Sequence, residues 1–264
     1  MSIKQHTLGR SLEIQGNVLR ALLMREVLTR YGRHNIGFLW LFLEPMLFTL
    51  GVTGLWTIAG LHKVSSLPIA AFALTGYSTV LLWRNMPTRC IGSLRPNGSL
   101  MYHRNVRTID IYLSRVLLEF LGASMSFVLL GSALIAMEVI SPPENILLVS
   151  AAWMLTAWFG AAFAILLGAW AEQSEIIDKL WHPAAYLLFP LAGAAYLVDA
   201  TPHAFQNAVL WLPMVHCTEM LRDGYFGSVF TARYDVAYLV GANLVLSALA
   251  LAIERRVSHE FVPE

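Results

Sequence analysis

Charge is scarce in this chain: 13% of its 264 residues are Asp, Glu, Lys or Arg, while 57% are hydrophobic and the mean hydropathy is +0.59. Such a composition excludes an ordinary soluble domain and points to an integral membrane protein. The balance of 18 basic against 17 acidic side chains argues against a nucleic-acid partner. Cysteine is nearly absent. Cys90 and Cys217 lack metal-ligand spacing and fall on opposite sides of the expected membrane, so neither a disulfide nor a thiolate metal site is expected. The eight histidines occur in no H-E-x-x-H, and no G-x-S-x-G is present, which removes the sequence basis for an intramembrane hydrolase. A G-x-x-x-x-G-K-[ST] loop is missing as well, so the chain has no glycine-rich cradle and lysine for the phosphates of ATP. No catalytic and no metal-binding residue is expected.

What is present is a series of long apolar runs. A membrane-crossing helix needs about 20 apolar residues, and six segments are candidates: about 36 to 60, 68 to 83, 110 to 138, 146 to 171, 180 to 198 and 236 to 253. The first starts too late and is too long for a secretory signal, so it is expected to be retained. Lys and Arg concentrate before the first run, in the loop after the second, at Lys179 and at Arg255 and Arg256, while Lys63, Arg222 and Arg233 fall on the other side. The positive-inside bias then places both termini in the cytoplasm. With no repeat, long linker or low-complexity tract, residues 1–264 read as one domain. Gly160, Ala164 and Gly168, and Gly122 with Ser126, mark faces where helix backbones approach closely.

Three segments depart from a plain bundle. Residues 1–35 carry a stretch, SLEIQGNVLRALLMREVLTR, whose leucines share a helical face; this suits an amphipathic helix in the cytoplasmic interface. Glu26 and Arg30 spoil that face. The loop after the second run holds Arg84, Arg89, Arg95, Arg104 and Arg107 and no acid. Asn85 and Pro87 can start a short helix there, with Cys90, Ile91 and Leu94 as an apolar edge; topology signal and docking surface both fit it. Residues 199–234 contain apolar pieces too short to cross, expected to be re-entrant or interfacial helices on the external side. Glu219 and Arg222, three apart, suit an ion pair.

Glu44 and Pro45 sit inside the first apolar run. Eight residues past Ile36 is about 12 Å of helix, near the bilayer middle, where a carboxylate costs about 2.5 kcal/mol or more. Glu44 must therefore face protein or water, and Pro45, which removes the donor to the Leu41 carbonyl, is expected to bend the helix. A paired structural carboxylate and a role on a transport path both satisfy that demand. In the third run Arg115 and Glu119 stand four apart and suit an internal pair.

The motif RYGRHNIGFLWLFLEP at residues 30–45, the basic loop after the second run and WLPMVHCTEMLRDGYF at 211–226 resemble the permease subunits of type-2 ABC exporters. The nearest subgroup is the capsular-polysaccharide export permeases, and the likeness covers essentially the whole chain. It implies an all-α bacterial inner-membrane protein with six spans, an interface helix and re-entrant helices, forming a homodimer around a conduit. It further implies two ATP-binding cassette subunits that carry ATP and Mg, a lipid-linked anionic polysaccharide as cargo, and leaves open a periplasm-spanning polysaccharide co-polymerase. Arg25, Arg30, Arg33, Arg89, Cys90, Ile91 and Leu94 are the residues it assigns to ATPase coupling. Among Trp40, Trp56, Tyr77, Trp153, Trp158, Trp181 and Tyr186, sugar-stacking candidates beside Glu44 for the conduit are Tyr77, Trp153, Trp158 and Tyr186, although interfacial belts use the same residues. Other type-2 cargoes (O-antigen, teichoic acid, lipid) and a secondary transporter are the alternatives; the latter calls for internal symmetry, which the sequence does not display.

Overall fold

The computed structural model describes residues 8–31, 35–60, 63–64, 67–101 and 106–261. Its helices are α1 (Leu8–Tyr31), α2 (Asn35–Ile58), α3 (Ile69–Cys90), α4 (Gly98–Met101), α5 (Thr108–Ala136), α6 (Ile146–Gln173), α7 (Glu175–Leu191), α8 (His203–Val209), α9 (Pro213–Phe226) and α10 (Val236–Phe261). Among the described residues the one ladder is the antiparallel pair of β1 (Lys63–Val64) with β2 (Leu67–Pro68).

Among the described residues four helices are long and apolar enough to cross a membrane: Leu39–Ile58, Thr108–Ala136, Ile146–Gln173 and Val236–His259. They correspond to the first, third, fourth and sixth expected runs. The second and fifth runs fall on α3 and α7, which lack that signature for different reasons. Every residue of α3 from Ile69 to Trp83 is buried, so this helix meets other helices and not lipid. It can therefore carry Thr75, Ser78 and Thr79, whose hydroxyls are buried, with those of Thr75 and Thr79 turned back onto carbonyls of their own helix. α7 has only 17 residues and begins with Glu175, Asp178 and Lys179.

Two expectations about the segment after the second run need correction. No separate helix starts at Asn85 or Pro87, because α3 continues through Pro87 to Cys90. Proline removes one internal hydrogen bond, and burial of Met86, Pro87 and Cys90 keeps the helix together across that gap. Cys90 and Leu94 are fully buried, so the supposed outward apolar edge keeps only Ile91, which is half-buried. The chain leaves α3 through Gly92 at φ 65°, a left-handed conformation that glycine adopts without a Cβ penalty.

Small residues set the helix spacing. A Cβ on Gly160 of α6 would lie 2.9 Å from the Cα of Trp83, and one on Gly168 would lie 3.0 Å from the Cβ of Cys90. Both clash with α3, so α6 lies against it only because these positions have no side chain. Replacing Gly160 by Val is expected to destabilise the protein by about 1–3 kcal/mol, read as a lower unfolding temperature in detergent. Gly241→Ala, inside α10 where a Cβ meets nothing within 4 Å, should not lower that temperature.

Candidate translocation face and coupling region

One face of the bundle is built by α2 and α7 on either side of α3. Phe48 lies 5.8 Å from Tyr77 and 5.9 Å from Phe189, and Tyr77 lies 5.5 Å from Phe189, ring centre to ring centre. Arg84, one residue past the fully buried part of α3, holds its guanidinium 5.4 Å from the Tyr186 ring and 5.3 Å from that of Phe189, within cation–π range. Along α2 the outward stripe runs Glu44, Leu47, Gly51, Leu55, Ile58. The other exposed apolar surfaces suit lipid. This stripe differs because Glu44 belongs to it, and a carboxylate at that depth calls for a protein or water neighbour.

The expected conduit residues divide accordingly. Glu44 is exposed on this face, as is Tyr186, which is 70% accessible. Tyr77 lies beneath it, 5% exposed under Phe48 and Phe189. The two tryptophans lie elsewhere in the bundle. Trp153 is buried between α6 and α5, stacked 4.7 Å from Phe127 and donating to Ser124 Oγ at 2.8 Å. Trp158 donates to Ser247 of α10 at 2.9 Å. Each indole N–H has found a partner within the bundle, the usual requirement for a Trp removed from water.

Pro45 acts where α2 meets α5. The Leu41 carbonyl has lost the amide of residue 45, and Leu41 itself is buried against Gly122, whose Cβ would stand 2.7 Å from the Leu41 side chain and 2.9 Å from that carbonyl. Gly122 thus makes room for α2 at the turn that proline loosens. Thr49 returns its hydroxyl to the Pro45 carbonyl at 3.0 Å, holding the helix together one turn later.

At the Arg-rich end, α1 does not lie free. Its inward face carries Glu26 and Arg30, the two residues that interrupt its apolar pattern, and these are the ones that attach it. Arg30 pairs with Glu26 at 3.0 Å and with Glu119 of α5. Arg89 reaches Glu119 at 3.2 Å, and Arg115 reaches Glu26 at 3.6 Å and the Arg89 carbonyl at 2.6 Å. The expected internal pairing of Arg115 with Glu119 is therefore replaced by cross-helix partners. Arg25 donates to Asn97 at 2.6 Å and Arg95 lies 3.5 Å from Glu172 of α6, so the turn after α3 is tied to both α1 and α6. Arg33 lies outside the described residues.

Glu219 and Arg222 of α9 are wholly buried, 3.9 Å apart. The terminal nitrogens of Arg222 donate to main-chain carbonyls beyond the end of α7: Gly193 and Tyr196 at 2.7 Å, Ala194 at 2.8 Å, while its buried Nε has no hydrogen-bond partner among the described residues. Its guanidinium also lies 3.9 Å from the Phe72 ring centre. Glu219 accepts from the backbone N–H of Arg233 at 3.1 Å. Burial pushes the Glu219 carboxyl up and the Arg222 guanidinium down to about 10, and the opposite charge of each works against that shift in the other. Sequence spacing indicates the pair but not the three carbonyls, because a turn 26 to 29 residues away leaves no local pattern.

Comparison with known proteins adds a framework to this geometry. The ABC-2 type transporter family matches residues 17–226. The chain is 42% identical over 260 residues to the capsule polysaccharide export inner-membrane protein BexB of Haemophilus influenzae, covering 98% of both chains. It is 43% identical over 254 residues to the corresponding protein CtrC of Neisseria meningitidis serogroup A, covering 96% of both. It is 25% identical over 250 residues to the polysialic acid transport protein KpsM of Escherichia coli, with 92% and 94% covered. This chain belongs to the membrane family of ABC-2 type transporters.

Proposed function

We propose that the chain is the inner-membrane permease subunit of an ATP-driven exporter that moves a lipid-linked capsular polysaccharide out of the cytoplasm. Full-length similarity to capsule export proteins carries this reading and favours it over other type-2 cargoes. Two copies joined through the α2–α7 face enclose the conduit, which removes Glu44 from lipid and brings Tyr186 and Arg84 to its wall. Six spans cross, α3 being the one whose sides are covered by protein and α7 a short one whose sides are largely exposed on a single subunit. α8 and α9 form the re-entrant element on the external side, braced by Glu219 and Arg222. ATP and Mg belong to two partner cassette subunits, and a periplasm-spanning polysaccharide co-polymerase is a further partner.

Coupling runs through the turn of residues 91–97. Ile91 and Arg95 present it to the ATPase, with Arg89 beside them; Cys90 and Leu94 anchor it in the core. Arg25 holds α1 to it, and Arg30 holds α1 to α5. Because α3 runs straight into this turn and Asn97 and Glu172 tie it to α1 and α6, a push there moves three helices together. Deleting the gene in its host is expected to leave polysaccharide inside the cell, with export restored by this chain. Unchanged surface capsule in the deletion strain would refute the assignment.

Both termini are cytoplasmic in this reading. An impermeant thiol reagent should label Ala204→Cys in intact cells and Arg95→Cys only after permeabilisation, both positions being exposed. Labelling in the opposite order would invert the topology.

A further inference from the structure

Between α1, the turn of residues 93–97 and α5 lies a cavity of about 330 Å³. Its wall includes Arg25, Glu26, Arg30, Asn97, Ser114 and Arg115. Together with Arg89 and Glu119 behind it, this group holds four guanidinium groups against two carboxylates, an excess of two positive charges in a partly buried site. Glu26 and Glu119 are already engaged by Arg30, Arg89 and Arg115. Arg25 has instead only an amide oxygen, that of Asn97, as its hydrogen-bond acceptor among the described residues. The buried Nε of Arg115 has no hydrogen-bond partner among them. Guanidinium donors with unspent capacity around a cavity of this size match the oxygens of a phosphate group.

The outer face of α1 indicates the source of that phosphate. Met24 and Leu28, exposed to 57% and 48%, flank Arg25 on the helix, so apolar side chains point outward at the level of the cavity. An interface helix in this position brings the cavity to headgroup depth. We infer that the cavity between α1 and α5 binds the phosphodiester of an anionic membrane phospholipid, which fastens α1 to the bundle. This does not depend on the nature of the cargo.

The test uses the full chain purified in detergent, with phosphatidylglycerol, phosphatidylcholine and inorganic phosphate as probes and native mass spectrometry as readout. Phosphatidylglycerol is expected to bind at least ten-fold more tightly than phosphatidylcholine. Arg25→Gln should weaken it at least ten-fold. So should Thr29→Trp, which fills the cavity from an exposed position on its rim and leaves every arginine in place. Thr29→Trp should keep the parent's unfolding temperature in the absence of lipid. Equal binding of the two lipids, or undiminished phosphatidylglycerol binding in both variants, would overturn the inference. Uptake of inorganic phosphate without preference for phosphatidylglycerol would overturn it in favour of a free-anion site. Loss of a co-purifying ATPase in both variants, with lipid binding unchanged, would make the cavity a protein socket instead.

Discussion

Replacing Arg222 by methionine is expected to abolish accumulation of the folded protein. The substitution keeps an apolar stem of similar length but withdraws the donors from the carbonyls of Gly193, Ala194 and Tyr196 and leaves Glu219 buried beside them. Breaking a buried pair from one side costs about 3–5 kcal/mol, and each buried carbonyl left without a donor adds about 1–3 kcal/mol. That sum is comparable with the whole stability of many domains. Arg222→Lys should recover only part of the loss, since one ammonium cannot reproduce the planar fork that meets three carbonyls. Size-exclusion chromatography of a fluorescent fusion would read the result: a monodisperse peak at the parent's level for Arg222→Met would contradict the role given to this side chain.

The second large effect concerns export and not folding. Glu44→Leu is expected to reduce polysaccharide export at least ten-fold while the amount of membrane-inserted protein stays within two-fold of the parent. The side chain is exposed on a single subunit, so removing it leaves no buried partner stranded and creates no cavity. Its replacement by an aliphatic group removes a charge that has to be solvated by a water-filled or protein-lined path. Glu44→Gln keeps the hydrogen-bonding capacity and should be milder. Quantifying surface capsule against membrane-fraction protein separates the cases; equal loss of protein and export in both variants would make Glu44 a structural residue.

How much of this was readable beforehand depended on what each residue faces. Four spans stand out as strongly apolar runs, whereas α3, legible as the run at 68 to 83, gives a weaker apolar signal because the protein around it allows threonines and a serine at its centre. Periodicity within one helix cannot locate a partner on another. Arg115 and Glu119 stand one turn apart, but Glu26 on α1 and Arg89 at the end of α3 are the partners the packing provides. The same limit explains Trp153 and Trp158, where an aromatic suited to a sugar is equally suited to a serine across a helix interface. Glu26 and Arg30, which spoil the apolar face of α1, are the residues that dock it. The close approaches at Gly122, Gly160 and Gly168 were legible because small residues four apart have few other uses in a span.

ATP-driven movement of the polymer is the central claim, and it is tested most directly in inside-out membrane vesicles carrying this chain, its cassette ATPase and lipid-linked capsular polysaccharide. Added ATP should make the polymer progressively resistant to a glycosidase outside the vesicles, as it passes into the lumen. Glu44→Leu vesicles should hydrolyse ATP yet protect at least ten-fold less polymer. If ATP leaves the polymer equally sensitive in vesicles whose ATPase is active and assembled with this chain, the chain does not translocate it.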